Sequence, residues 1–268
     1  MNASLRNWIV TLTILLPLPT MAADAQCAGP AARRAATTAL ASNGQLHALV
    51  LFARFQDEVG PTVAPAFAGD LFDPDLPGSL SHFFDEMSSS QFTLTGEVLP
   101  RVYSSIDPTL AYLSGGEGRG EFGRFAREII AAADADVDFG DFDNDGPDGI
   151  PNSGDDDGFV DLLLVVTQST PPGFIVGDAD GVAQLGLDAS YLTRDPAARS
   201  GQRIGVRQDS GTAGGTLQRG STFSDAVGII AHEMGHILGL PDLYDRKNDR
   251  GSIIDSNDGS AGIGYWGL

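Results

Sequence analysis

His232, Glu233 and His236 stand close together in the run HEMGH. Residues four apart on a helix project from one face, so two imidazoles at that spacing can meet one ion. Glu233 is turned about 100° around such a helix from His232, which keeps its carboxylate out of the ligand set yet within reach of a water. The chemistry available to this trio is metal-assisted hydrolysis. Zinc accepts neutral imidazole and lowers the pKa of a coordinated water to about 7. Glu233 would act as general base, taking the water's proton as it attacks a carbonyl carbon and passing it to the leaving amine. A catalytic zinc usually takes three protein ligands, and the helix supplies two. Gly239 permits a sharp turn after the helix and Pro241 prevents its continuation, so Asp242 returns at the offset of a third ligand, with Asp245, or an acidic residue from further along the chain, as its rivals. The plainer account is a core helix with two incidental histidines. The helix signals around the motif, Ser224 or Asp225 as N-cap and Gly239 as C-terminal turn, weigh against it.

A second group of candidate ligands lies in an acidic turn. Asp141, Asp143 and Asp145 alternate and are followed by Gly146, like the opening of a D-x-D-x-D-G calcium loop. Such a loop would carry a Glu at its last ligand position, and Asn152 stands there instead. Asp148, Asp155, Asp157 and Asp161 are available to complete a non-standard site, so calcium is expected through Asp141, Asp143, Asp145 and Asp161. A solvated acidic loop is the bland alternative. Against it, the run leads straight into an apolar strand, which would place the repulsion against the fold. His47 and His82 flank or occupy predicted elements and read as structural.

These residues need elements to hold them. Leu46 to Phe55 reads as a buried strand, Leu80 to Met87 as a short helix, and Gln91 to Val102 as a strand pair or one bent strand. Gly120 to Ala133 has apolar residues at helical spacing, Leu162 to Thr167 is another buried strand, and Asp225 to Leu238 is the metal helix. Val227, Ile230, Met234 and Ile237 would anchor that helix in the core. Gly60 to Gly78 is a loop, and between Gly173 and Thr222 only a weak strand at Ile204 to Val206 stands out. Strands and helices without a regular repeat predict an α+β architecture.

Composition narrows the setting. The 268-residue chain carries a net charge of −20, which disfavours nucleic acid and anionic membrane surfaces as partners. Residues 1–25 have the layout of a secretory signal: Arg6, an apolar run from Trp8 to Pro19, and Ala23-Asp24-Ala25 for cleavage. The expected product is therefore secreted, extracellular or periplasmic, with a mobile lead-in over 26–45 and a catalytic domain over 46–268. Cys27 is the single cysteine and cannot close an internal disulfide. Asp24-Ala25-Gln26 before it is a poor lipidation signal, so a soluble product without stable membrane association is expected.

Several segments together resemble the immune inhibitor A family of secreted bacterial metallopeptidases. They are HEMGHILGLPDLYD, SLSHFFDEMSSSQFTLTGEV from Ser79 to Val98, DFDNDGPDGIPNSGDDDGFVDLLLVV, and GIGYWGL from Gly262 to Leu268. The resemblance implies a zincin-like fold, a twisted mixed sheet over an active-site helix, and hydrolysis of protein or peptide substrates. It makes His232 and His236 zinc ligands and Glu233 the base, and related zincins carry His or Asp at the offset of Asp242. The acidic turn is longer here, adding Pro147 to Asp157. The family's sequence would continue past Leu268 with a methionine, so a chain truncated at its C-terminus is expected. A catalytically silent, calcium-stabilised binding module of the same fold is the alternative function.

Overall fold

The computed structural model describes residues 43–114, 119–175, 179, 181–199, 201–215 and 223–240. The expected signal, Cys27, Asp242, Asp245 and the GIGYWGL segment lie outside the described residues.

Strand β1 (Gly44–Arg54) begins slightly ahead of the expected Leu46. Leu49, Leu51 and Ala53 point to one side of it and Ala48, Val50 and Phe52 to the other, and all are fully buried. A strand covered on both faces reads as an unbroken apolar run, which is why HALVLFARF was recognisable. It pairs in parallel with β2 (Phe92–Ser104) and β3 (Leu163–Thr167). The run after Gln91 is thus one long strand, and a register shift between Val50 and Phe52 bends the pair. Strand β7 (Gly211–Gly215) adds in parallel to β3, and β4 (Gly181–Val182) closes the edge antiparallel to β7. The order is β2-β1-β3-β7-β4.

Parallel neighbours need crossovers, and helices supply those from β1 to β2 and from β2 to β3. Helix α1 (Leu80–Met87) starts at Ser79, whose side chain accepts a hydrogen bond from the His82 N–H at 3.0 Å. Ser89 and Ser90, with φ of 55° and 60°, then turn the chain into β2. Helix α2 (Phe122–Ala133) buries Phe125, Ala126, Ile129 and Ile130 against the odd-numbered face of β1. Helix α3 (Phe223–Ile237) shares the opposite face with α1. The expected α+β mixture is present as a small, mixed sheet with helices on both sides.

Differences from expectation fall where tertiary pairing overrides local sequence. The loop from Gly60 to Gly78 contains a 3-10 turn at Ala66–Asp70. Besides β6 (Arg203–Val206), the weakly patterned region holds β4, β5 (Tyr191–Pro196) and β7. Strands β5 and β6 form a separate antiparallel ribbon. Gly205 of that ribbon ties down the end of the acidic turn: its N–H donates to the Gly158 carbonyl at 2.9 Å, and its carbonyl accepts from Val160 N–H at 2.9 Å.

Above α2 the core is aromatic. The Phe125 ring lies 5.0 Å from Phe55, 5.7 Å from Tyr112 and 5.2 Å from Phe174, in tilted or edge-on geometry. Phe125 is fully buried, so Phe125→Ala opens a cavity between these rings. It is expected to cost about 3–5 kcal/mol, read as a fall in the urea midpoint at unchanged slope.

Candidate metal centre

Ala226, Val227, Ile230, Ala231 and Met234 sit in the same buried cluster as Leu162, Leu164 and Val166 beneath the sheet. That face anchors α3, as the spacing predicted, with Ile237 packed at its margin. Phe223 is already helical, so Ser224 and Asp225 lie within the helix rather than at its cap. Turning the apolar stripe inward leaves His232 and His236 half-buried on a neighbouring face. Their rings are 4.8 Å apart, centroid to centroid, and inclined at 84°. Two imidazoles so placed can converge on a single small ion.

The helix end fixes the second of them. Gly239 has φ of 90°, a left-handed setting that favours glycine. The Leu240 N–H donates to the Gly235 carbonyl at 2.8 Å and the Gly239 N–H to the His236 carbonyl at 3.0 Å, a Schellman turn. This turn brings the Leu240 carbonyl to 2.9 Å from His236 Nδ1. A carbonyl only accepts, so Nδ1 carries the proton, and Nε2 is the nitrogen that could ligate an ion.

Glu233 is 8% exposed, with β4 against it. A Cβ at Gly181 would lie 2.6 Å from Glu233 Oε1, so the glycine backbone is what the carboxylate packs on. Sequence reasoning missed this neighbour, since a two-residue strand of Gly and Val carries no pattern to read. The donor set fits zinc: two imidazoles with one tautomer fixed, and a carboxylate beside them rather than among them. Asp242 lies outside the described residues. Among the described residues, no third His, Cys, Asp or Glu joins the two histidines in a close ligand group.

The acidic turn is resolved differently from its motif. Asp141 lies in a 3-10 turn at Phe139–Phe142, and its carboxyl is raised by desolvation, then by Asp138 and Glu97. Asp143, Asp145 and Asp157 come together instead, with one carboxylate oxygen from each within 4.8 Å of the others. Burial, reinforced by Asp156, Asp157 and Asp145, pushes Asp143 up to about 7. Burial likewise pushes Asp161 up to about 7, although its Oδ2 accepts from the Asn144 N–H at 2.8 Å. His47 stacks on Phe142 at 5.3 Å with Nδ1 2.8 Å from Thr95 Oγ1, and His82 lies 3.7 Å from Glu86 on α1. Both are used in packing and local pairing.

The chain is similar to known proteins in sequence. The family model for the immune inhibitor A peptidase M6 catalytic domain matches residues 69–266. Immune inhibitor A of Bacillus thuringiensis subsp. alesti is 28% identical over 183 residues, covering 62% of this chain and 26% of that protein. The pre-pro-metalloprotease PrtV of Vibrio cholerae serotype O1 (strain M66-2) is 27% identical over 186 residues, covering 63% of this chain and 19% of PrtV. The chain thus matches about a quarter or less of each relative's length. The family match takes in β2, α2, the acidic turn and α3, well over half of the sequence, and by it this chain belongs to the immune inhibitor A peptidase M6 family.

Proposed function

We propose that this chain is the catalytic part of a secreted zinc-dependent endopeptidase of zincin-like fold, with His232, His236 and Asp242 as metal ligands and Glu233 as general base. The observation that carries the reading is the placement of His232 and His236 on one face of α3 with the Glu233 carboxylate buried between that helix and β4. The metalloprotease character of PrtV, a relative by sequence, supports it. Secretion rests on the signal-like residues 1–25, and no helix among the described residues is long and apolar enough to cross a membrane.

When bound, zinc would supply a Lewis acid that makes water nucleophilic near neutral pH. The chain's own residues do the rest. His236 is oriented by the Leu240 carbonyl, so its ring cannot swing without breaking that hydrogen bond. Glu233 is held against Gly181, where it can take a proton from the attacking water and return it to the departing amine. Strand β4 is the sheet edge nearest this carboxylate, and an extended peptide pairing along it would present its backbone carbonyls beside Glu233.

The overall test is casein hydrolysis by the purified chain before and after chelation, with zinc added back. Hydrolysis that survives complete removal of metal would end the reading. Within it, Glu233→Ala should lose about 10²–10⁴-fold in turnover while retaining zinc by atomic absorption, because a base outside the ligand set is not needed to hold the ion. Gly181→Ala should reduce kcat by up to about 10²-fold at unchanged zinc content, since its methyl must displace the Glu233 carboxylate. A normal kcat in that variant would show that the carboxylate tolerates being moved. Asp242→Ala should weaken zinc binding in chelator competition, and Asp242→His should retain much of it. Equal zinc affinity in wild type and Asp242→Ala would assign the third ligand elsewhere.

A further inference from the structure

We infer that Asp143, Asp145 and Asp157 form a binding site for a divalent cation of calcium's size and hardness, which closes the long acidic turn at the foot of β3. The site is separate from the histidine pair on α3 and does not depend on its role.

Three carboxylates offering oxygens within 4.8 Å of one another repel unless a cation stands among them. Asp143 is the telling member. It is 1% exposed, and although its Oδ2 accepts from the Gly158 N–H at 3.0 Å, its Oδ1 is buried with no hydrogen-bond partner. A buried carboxylate oxygen without a donor is costly, and it is what remains when the ion that satisfies it is removed. The neighbouring Asn144 Oδ1 is buried without a partner as well. Arg207 cannot serve the whole cluster. Its Nη1 lies 3.0 Å from Asp157 Oδ2 and its guanidinium covers the Phe159 ring at 4.2 Å, so it offsets Asp157 from one side.

The donors select the ion. All are oxygens, with no imidazole or thiolate among them, which disfavours zinc and suits a hard cation. Calcium takes six to eight oxygens at about 2.3–2.6 Å, so two carboxylate oxygens on one ion stand at most about 5 Å apart, as these do. The turn is already shaped for it. Asp145 Oδ1 accepts from the Asp157 N–H at 3.2 Å, joining the two ends of the turn, and Asp156 Oδ1 accepts from the Gly146 N–H at 2.7 Å. An ion held here would bind the opening Asp143 and Asp145 to the returning Asp157 and so fix the chain as it enters β3.

The test is calorimetric titration of the chelator-stripped full chain with calcium chloride alone, together with thermal unfolding at each step. Expected are a one-site isotherm and a midpoint that rises with calcium. Asp143→Asn and Asp157→Asn should each weaken the affinity on the order of tenfold or more, whereas Asp141→Asn leaves it intact. Far-UV circular dichroism of the metal-free variants, matching wild type, separates lost binding from lost folding. Should a variant fail to fold, Asp145→Asn carries the same expectation. A His232→Ala chain should keep the full calcium response. A flat wild-type isotherm, or unchanged affinity in the folded cluster variants, overturns the site. Loss of the response with His232→Ala would move the calcium to the α3 pair and overturn it too.

Discussion

The burial of Val227, Ile230 and Met234 beneath the sheet sets the rotation of α3, and the geometry around Glu233 follows from that rotation. With the apolar stripe held against β3 residues such as Leu164 and Val166, the helix has little freedom to turn about its axis. His232 and His236 then emerge at the side of the sheet, and Glu233 comes up under β4. A helix rotated by one residue, about 100°, would bury an imidazole and expose Met234. The same packing depends on β1 and β3 being apolar on both faces, since a sheet polar on its lower side would give α3 nothing to bury against.

How much of this was legible in the sequence depended on whether the signal was local. Helix α1 matches its expected span from Leu80 to Met87, because a serine cap, an apolar stripe and a serine-rich exit all lie within a dozen or so residues of chain. Strands β1 and β3 were legible as apolar runs. Strand β7 was not, for GTAGG has neither alternation nor β-branched bulk, and it is a strand because β3 pairs with it along its length. The helix that carries HEMGH is legible in the sequence, but it already runs at Phe223, ahead of the expected Asp225. Ser224 and Asp225 looked like caps because they are the nearest polar residues before the stripe, but Phe223 is already helical and packs beside the core.

The acidic turn shows a different limit. Alternation in Asp141, Asp143 and Asp145 suggests that all of them point inward, as they would in a regular calcium loop. Phe139 and Phe142 decide otherwise. Both are fully buried, and bringing them inward winds the chain into a 3-10 turn that directs Asp141 toward His47 and Glu97. The segment from Pro147 to Asp157 then returns the chain so that Asp157, further along the sequence, meets Asp143 and Asp145. Spacing could name the turn as a place where oxygens gather. Which oxygens gather was settled by two phenylalanines and a loop closure, and neither is written in the spacing of the aspartates.

The histidine pair and the aspartate cluster therefore follow opposite logics. On α3 the backbone is regular, so i and i+4 alone bring two rings together, and the turn at Gly239 adds the Leu240 carbonyl that sets the tautomer. A local sequence motif is sufficient to specify that arrangement, which is why it can be read without a structure. In the acidic turn no regular backbone holds the carboxylates, and their mutual repulsion works against the conformation that assembles them. Such an arrangement must be held from outside. The β5–β6 ribbon does part of this through Gly205, which fixes Gly158 and Val160 on either side of Phe159. Because Gly158 also donates its N–H to Asp143, the ribbon reaches into the cluster through one residue, and the ordering of the turn is tied to the packing of the sheet it feeds.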